Sequence, residues 1–263
     1  IVTVSKSIIQ NLRSCISRAD YFLEGVMLKT LAQTHSVCHQ DEMELGSILI
    51  DLGAGTTDVL VLFKGAPIST ASIPVGGNLV TNDIAIVTGI TTQAAEKIKI
   101  ESGCCWLPNI NPENDLEVIL PGVGGKSPDI TKQSQICQII QARMEQIFVM
   151  VKNVVVKNTK DSIKQLSGNI ILTGGGANMD GVVDLAQYVF KTSSVRIGYP
   201  DSLGGIEEDY RKPDFATAIG LVVSYQSMLQ KSDSKRIKKR STGKKVTKKG
   251  GDGFFKSMIK KLF

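Results

Sequence analysis

Two glycine-rich segments, each following a short apolar run, have the residue types and spacing best suited to chemistry in this chain. The first is Asp51-Leu-Gly-Ala-Gly-Thr-Thr-Asp58 after Ser47-Ile-Leu-Ile50, and the second is Thr173-Gly-Gly-Gly-Ala-Asn178 after Ile170-Ile-Leu172. Apolar runs of this length bounded by glycine are typical of buried strands. Each segment is therefore predicted to be a turn whose backbone N–H groups can bind an anion.

The first turn carries both predicted phosphate donors and carboxylates. Backbone can approach an anion closely only where no side chain obstructs it, so glycines have a physical reason to be here. The predicted nucleotide ligands of this turn are Gly53, Gly55, Thr56 and Thr57. Asp51 and Asp58 stand at its two ends, and carboxylates beside a phosphate need a cation between them, for which a hydrated Mg²⁺ is the usual solution. We expect both to position magnesium or water, with no direct metal ligand assigned; an ordinary hairpin turn is the alternative.

The second turn joins a predicted strand to a predicted helix over 178–191. Backbone at such a junction can approach a phosphate or a flat ligand closely. The expected ligands are Gly174, Gly175 and Gly176. A tight strand-to-helix joint without a ligand is the alternative.

Charge is distributed unevenly along the chain. The 263 residues carry 31 Lys and Arg against 25 Asp and Glu. Thirteen of those cations and two of the acids lie in 231–263, which gives +11 there and leaves −5 for residues 1–230. The segment 231–253 has few aliphatic residues and is predicted to be a disordered basic linker that seeks an anionic surface. It has no interleaved aromatic residue, so we expect no nucleic acid as its partner.

The last ten residues form an amphipathic pattern at 100° per residue. The apolar half contains Phe254, Phe255, Met258, Ile259, Leu262 and Phe263, and the polar half includes Lys256, Lys260 and Lys261. Such a helix is too short to span a bilayer, but it can lie in the headgroup region of an anionic membrane. We predict a membrane-binding helix over 254–263; docking on the protein itself or on a partner is the alternative.

Together with Gly76-Gly-Asn78, Ala95-Glu-Lys-Ile-Lys99 and Val123-Gly-Gly125, the two turns resemble motifs of the actin-like ATPase superfamily and, within it, the FtsA family of bacterial cell-division proteins. The resemblance covers nearly the whole chain except 231–253. It implies an α/β fold, the second lobe of an actin-like ATPase (ribonuclease H-like), with a mixed sheet flanked by helices. Residues 1–230 would be this lobe, with an inserted subdomain at about 78–166.

The resemblance also implies that the first lobe of the fold is missing from this sequence. Nothing before Ser47 matches the phosphate turn of the first lobe, and Val2 to Leu31 is expected to be a linking strand and the helix that opens the second lobe. We therefore expect this chain to be the C-terminal part of a longer protein. We also expect it to bind nucleotide poorly by itself.

Further site residues come from the resemblance. It implies that Glu96 and Lys99, three apart on a predicted helix, contact the ribose and adenine of ATP; a surface salt bridge is the alternative. It implies that Arg143 grips the acidic, hydrophobic C-terminal peptide of the tubulin-like protein FtsZ, with Lys132 a weaker candidate on the same predicted helix. A solvated helix arginine is the alternative for Arg143.

The function implied by the resemblance is tethering rather than catalysis. The family's members bind ATP and Mg²⁺, self-associate into actin-like filaments, and anchor FtsZ filaments to the cytoplasmic face of the inner membrane at the division site, where the septum forms. Any ATP hydrolysis would be slow. A PilM-like pilus-assembly module and a small-molecule kinase of the same superfamily are the alternatives.

Cysteine and histidine usage gives little support for a metal centre. His35, Cys38 and His39 have a suitable spacing, but a zinc site needs three or four ligands and no second cluster supplies them. Five cysteines without a C-x-x-C pair suit reduced thiols. The remaining predicted elements are three strands in 47–75, helices 77–89, 92–102, 131–166 and 214–230, and strands 115–120, 169–172 and 195–198.

Overall fold

The computed structural model describes residues 2–125, 127–159, 169–201 and 203–241, of which 231–241 are described by their backbone. The chain divides into two units, residues 1–223 and 224–263. The predicted membrane-binding helix at 254–263 lies outside the described residues, as do 242–253 of the predicted linker.

The described part of the chain contains helices and strands in alternating groups. The helices are α1 (Lys6–Arg18), α2 (Lys29–Val37), α3 (Gln40–Leu45), α4 (Gly77–Thr88), α5 (Thr92–Ser102), α6 (Gln133–Thr159), α7 (Val182–Phe190) and α8 (Ala216–Ser241). The strands are β1 (Ser47–Leu52), β2 (Thr57–Phe63), β3 (Ala66–Ile73), β4 (Glu117–Leu120), β5 (Asp129–Lys132), β6 (Ile170–Thr173) and β7 (Val195–Ile197). The strands predicted from residue 47 onwards and the helices at 77–89 and 92–102 are confirmed.

A mixed five-stranded sheet in the order β3-β2-β1-β6-β7 organises the first unit. β1 pairs antiparallel with β2 and parallel with β6, and the β6–β7 pair is also parallel. In this register Asp51 lies opposite both Asp58 and Thr173. The two glycine turns therefore leave the sheet at the same edge.

The central strand β1 is buried along its whole length because both faces of the sheet are covered. Ile48 and Ile50 point into a large apolar cluster to which α4, α5, α6 and α7 contribute, whereas Leu49 packs in a smaller cluster with Val37 of α2. Alternate residues of a strand face opposite sides, so a strand covered on both sides is apolar at successive positions. The consecutive residues Ile48, Leu49 and Ile50 fit this pattern.

The region 103–166 differs from expectation in two places. A two-stranded sheet pairs β4 with β5, and β5 was not predicted, because its four residues are largely exposed and follow no apolar run. Lys132 is the last residue of this strand and not part of a helix, and it pairs with Glu117. The long helix α6 is confirmed from Gln133 to Thr159, and 160–168 lie outside the described residues.

Three boundaries outside this region also differ. α7 begins at Val182, because the preceding Asp180 is held in a bridge with Cys104 and accepts the Cys105 amide. The described residues before Lys6 form no strand, and α1 and α2 are separate helices. α8 continues to Ser241, so part of the segment expected to be disordered is helical, in keeping with the high helix propensity of its Lys and Arg residues.

A buried ion pair joins α3 to the far edge of the sheet. Glu42 on α3 is buried and accepts hydrogen bonds from Arg196 of β7 at 2.5 and 2.6 Å and from Asn169 at 2.6 Å. Burial raises the pKa of Glu42, but the hydrogen bonds from Arg196, from the His39 backbone and from Asn169 outweigh it and lower the pKa from 4.5 to about 2. Arg196 also donates to the Val37 carbonyl, so the pair links three elements.

We predict that Glu42→Gln lowers the free energy of unfolding at pH 7 by about 1.5 to 3 kcal/mol, because it removes a charged partner of Arg196. Because the folded pKa is depressed, the stabilisation is complete above pH 4.5 and is lost as pH falls towards 2. Urea unfolding of parent and variant between pH 2 and 7 should show their difference shrinking over that window. The control is Glu101→Gln on exposed α5 surface; a difference independent of pH would contradict the assignment.

Candidate functional site

Both glycine turns and the two charged residues predicted on α5 line one cavity of about 360 Å³. The predicted ligands in its lining are Gly53, Thr57, Glu96, Lys99, Gly175 and Gly176. Apolar side chains complete the wall, among them Val80, Ile100, Met144 and Met179. A ligand with a flat apolar part and an anionic part fits such a mixture. Six of the nine predicted nucleotide ligands thus lie around one cavity, whereas Gly55, Thr56 and Gly174 are not part of its lining.

The α5 end of the cavity carries a hydrogen-bonded trio. Lys99 Nζ donates to Glu96 Oε2 at 2.7 Å and to Thr81 Oγ1 at 2.9 Å, and the Thr81 hydroxyl in turn contacts the Glu96 carboxylate. Lys99 also reaches the Gly77 carbonyl at 3.3 Å. The Glu96 side chain is 43% exposed, whereas that of Lys99 is 12% exposed. Glu96 is therefore the member of the pair that is more available to a ligand.

The pKa of Glu96 is lowered from its ordinary value. Burial works in the opposite direction and is outweighed by hydrogen bonds from Lys99 and Thr81. The carboxylate is thus ionised at neutral pH and accepts hydrogen bonds. Hydroxyl groups such as those of a ribose are suitable donors to it.

The glycines of the first turn serve different purposes. A Cβ on Gly53 would stand 2.7 Å from the Thr56 carbonyl oxygen, which also accepts the Gly53 amide, so Gly53 is required for the turn to close. A Cβ on Gly55 would meet nothing within 4 Å in the part of the chain that the structure describes. Gly55 is exposed, and its space is open to a ligand.

Two backbone donors of this turn belong to exposed residues. No acceptor among the described residues pairs with the amides of Ala54 and Gly55. The hydroxyls that were expected to add donors are engaged: Thr57 Oγ1 donates to the Val75 carbonyl at 2.9 Å, and Thr56 Oγ1 donates to Asp58 at 3.1 Å. The backbone amides are thus the donors best placed for an anion.

The N-terminus of α4 supports the first turn, a role that the pattern Gly76-Gly-Asn78 does not predict by itself. The amides of Gly77 and Asn78 donate to the carbonyls of Gly53 and Ala54 at 3.0 and 2.8 Å. A Cβ on Gly76 would lie 2.5 Å from the Gly53 carbonyl oxygen. Two adjacent glycines allow this close backbone contact, and they are the sequence signal that could have identified it.

The triple glycine also divides into packing and open positions. Gly174 adopts a positive φ of 82°, and its Cβ would clash with the Asp51 carboxylate, while a Cβ on Gly176 would clash with Leu52. Gly175 has no heavy atom of the described residues within 4 Å of its Cβ position. Gly175 is therefore the open glycine of the second turn, as Gly55 is of the first.

The two carboxylates at the ends of the first turn are bridged by a lysine that the sequence did not single out. Lys29, the first residue of α2, places Nζ 2.9 Å from Asp51 Oδ2 and in contact with Asp58 Oδ2. Gln33 of the same helix donates to Asp51 Oδ2 at 2.6 Å. Burial lowers the pKa of Lys29, and its hydrogen bonds to Asp51 and Asp58 outweigh this and raise it. The pKa of Asp58 is lowered, because hydrogen bonds from Lys29 and Ser72 outweigh burial.

Arg143 lies in a second concavity, of about 370 Å³, between α4 and α6. We call it the α4–α6 groove, and its lining residues are Asp83, Ile86, Val87, Ile139, Ala142, Arg143 and Gln146. Arg143 forms a bidentate ion pair with Asp83, at 2.5 Å from Nε and 2.9 Å from Nη2. Ile86 and Val87 are exposed, so the groove combines an apolar floor with a cation.

Cysteines and membrane spans add little to the site. All five cysteines are free thiols, and Cys104, Cys105 and Cys137 are buried. Among the described residues, no group of three His, Cys, Asp or Glu side chains is arranged to hold a metal ion. Within the same residues, no helix combines the length and apolarity needed to cross a membrane.

Comparison with known sequences identifies relatives of one kind. A family model described as cell division protein FtsA matches residues 48–220. The cell division protein FtsA of Borreliella burgdorferi is 37% identical over 92% of this chain and 57% of the relative, and that of Pseudomonas aeruginosa is 33% identical over 85% and 52%. The chain thus spans about half the length of the curated relatives it matches.

Solved structures with the same fold are actin-like. MreB5 of Spiroplasma citri, crystallised with ADP, superposes with a TM-score of 0.69 at 16% identity, over 88% of this chain and 68% of that one. The double helical filament of MamK gives a TM-score of 0.59 at 18% identity, over 82% and 64%. The expected fold class, a lobe of an actin-like ATPase with a mixed sheet flanked by helices, is confirmed.

Proposed function

The chain belongs to the FtsA family of cell division proteins, and from this premise we propose that it forms the ATP-binding lobe of a protein that tethers FtsZ filaments to the cytoplasmic membrane. The observation that carries the proposal is the single cavity shared by both glycine turns, Glu96 and Lys99. Tethering requires three surfaces, which are a nucleotide cavity, a site for FtsZ and a membrane anchor. Different residues would supply each of the three surfaces.

The nucleotide proposal rests on the polarity of the cavity. The open amides of Ala54 and Gly55 favour the phosphates at one end, and Gly175 of the second turn also leaves open space. The more exposed Glu96 favours the ribose at the other end, with the Lys99 stem beside it. Apolar side chains such as Met144 and Met179 suit the flat face of adenine. A solved neighbour with this fold holds ADP, which is consistent with ATP as the nucleotide. Mg²⁺ would accompany ATP on its phosphate oxygens.

We predict that Gly55→Val lowers ATP affinity at least tenfold, or about 1.4 kcal/mol, because its side chain would fill the space next to the open amides. Since no described atom lies near that Cβ position, the fold should be retained. Calorimetric titration with ATP measures the affinity, and thermal unfolding checks the fold.

The matched control is Gly25→Val, at a glycine that also has open space around its Cβ position and belongs to neither glycine turn. It should bind ATP as the parent does. Equal affinities for Gly55→Val and Gly25→Val would contradict the phosphate assignment.

For FtsZ, we propose that the α4–α6 groove receives its acidic, hydrophobic C-terminal peptide. Ile86 and Val87 offer exposed apolar surface, and Arg143 offers a cation beside it. Asp83 neutralises Arg143 in the structure, so the peptide's carboxylate must compete with Asp83 for the guanidinium. The two side chains are 27% and 25% exposed, so a peptide carboxylate can reach the guanidinium from solvent.

This competition predicts that substitutions of Arg143 and Asp83 have opposite effects on peptide affinity. Arg143→Glu should weaken binding of an FtsZ tail peptide about tenfold, whereas Asp83→Asn should strengthen it up to about fivefold by freeing the guanidinium. Fluorescence anisotropy with a labelled peptide measures both. Lys97→Glu, an equal change of net charge at an exposed residue of α5, is the control. If Arg143→Glu and Lys97→Glu have equal effects, Arg143 is only a solvated surface residue.

For the membrane, we propose that 254–263 is the anchor, on sequence grounds alone. Burying each large apolar side chain contributes about 1.5 to 3 kcal/mol, and each lysine near an anionic leaflet about 1 kcal/mol. The acidic body offers no comparable attraction to a negative surface. Peripheral binding at the cytoplasmic face of the membrane would follow.

The two faces of this predicted helix can be compared by placing the same negative charge on each. Ile259→Asp on the apolar half should release the chain from anionic vesicles, whereas Ser257→Asp on the polar half should retain most binding, because only the former blocks insertion. Co-sedimentation with phosphatidylglycerol vesicles at low and high salt measures this. Equal loss in both variants would indicate that charge alone holds the chain to the membrane.

Self-association completes the proposal. MamK, which shares this fold, forms a double helical filament, and we propose that the complete FtsA-type protein polymerises in an actin-like manner. Polymerisation would place many membrane anchors and many FtsZ sites on one filament. Weak individual contacts then act together, which suits a tether.

A further inference from the structure

Asp51 and Asp58 form a pair of like charges that the fold itself creates. They are directly opposite in the antiparallel pairing of β1 with β2. Opposite residues in such a pair share one face of the sheet, and like charges there are destabilising. Their side chains are only 6% and 15% exposed, so water provides little screening. A cation between them is therefore a requirement of the fold.

Lys29 meets this requirement. Its ammonium contacts the Oδ2 atoms of both carboxylates. Lysine at the first position of a helix is unfavourable with respect to the helix dipole, and the first turn of α2 has no acidic residue to compensate. The two aspartates supply the compensation, so the position of Lys29 is explained by the carboxylates rather than by its own helix.

The arrangement does not fit a magnesium ion held by these two aspartates. Mg²⁺ demands near-octahedral oxygen ligands at about 2.0–2.1 Å and keeps several waters. Here the facing oxygens accept hydrogen bonds from Lys29, and each has a second donor, Gln33 for Asp51 and Thr56 for Asp58. The expectation that Asp51 and Asp58 position magnesium therefore conflicts with their contacts.

We propose that Lys29 takes the position that a divalent cation would hold between Asp51 and Asp58, so that the protein itself supplies the positive charge beside the phosphate turn. An ammonium has three N–H donors. Asp51 and Asp58 are the acceptors of Lys29 in the described part of the chain, which leaves one N–H for a phosphate oxygen. The side chain is 39% exposed, so a ligand can approach it from solvent.

Metal exclusion can be tested without any nucleotide. Mn²⁺ titration of the whole chain, followed by electron paramagnetic resonance, should detect no site in the parent. Lys29→Met should create one, because it leaves two adjacent carboxylates without a cation. Lys29→Met combined with Asp58→Asn should lose that site again, since one carboxylate is gone. Lys97→Met is the control for loss of a surface lysine and should behave as the parent.

Thermal unfolding gives a second measurement that holds even if Lys29→Met is poorly folded. Saturating Mn²⁺ should raise the Tm of Lys29→Met by about 3 °C or more and leave the parent and the double variant unchanged. A metal site in the parent, or a Lys29→Met variant that neither binds nor is stabilised by Mn²⁺, would overturn the proposal.

The consequence for ATP rests on the proposed function and is measured separately. In the parent, replacing Mg²⁺ by a chelator should change ATP affinity less than about threefold, whereas in Lys29→Met it should change it at least tenfold. A parent that binds no ATP while the Mn²⁺ results hold would overturn the nucleotide proposal and leave the role of Lys29 intact. An equal loss of affinity on chelation in both proteins would overturn the phosphate role of Lys29.

Discussion

The pairing of β1 with β6 is the contact on which the whole site depends. Because the two strands are parallel and Asp51 lies level with Thr173, the turns that follow them emerge side by side at one edge of the sheet. The ends of parallel strands are common positions for ligand sites, because each turn opens towards the same crevice. More than 100 residues of chain separate the turns, and the intervening α4, α5 and α6 form the wall of that crevice.

The glycines around this edge meet two different requirements. Gly53, Gly174 and Gly176 allow backbone and side chains of the protein to approach each other, since a Cβ at any of them would clash with described atoms. Gly55 and Gly175 meet no such neighbour. Packing within the fold explains the first group. The second group is explained only by a ligand that occupies the open space beside these glycines. A glycine motif in a sequence does not distinguish glycines needed for packing from glycines that leave space for a ligand, because the residue type is the same.

Local patterns were sufficient for most strands, for both turns and for placing Glu96 and Lys99 on one face of α5, since apolar runs, glycine boundaries and helical spacing act over short distances. They were insufficient where a long-range contact decides the outcome. Lys29 is far from Asp58 in sequence, and no spacing rule connects a residue at the start of α2 to a strand pair. α7 begins later than predicted for a similar reason, because the Asp180 carbonyl accepts a hydrogen bond from the Cys105 amide. β5 is short and exposed, so it lacks the apolar signal on which strand prediction depends.

The two charged clusters near the cavity expose groups of opposite charge to solvent. In the α5 cluster the cation is the more buried partner, and the Glu96 carboxylate is accessible. In the Lys29 cluster the carboxylates are buried, and the ammonium is accessible. An accessible carboxylate accepts hydrogen bonds from neutral hydroxyls, whereas an accessible ammonium donates to anionic oxygens. The two clusters therefore prefer different ligands, because the fold buries the cation of one ion pair and the carboxylates of the other.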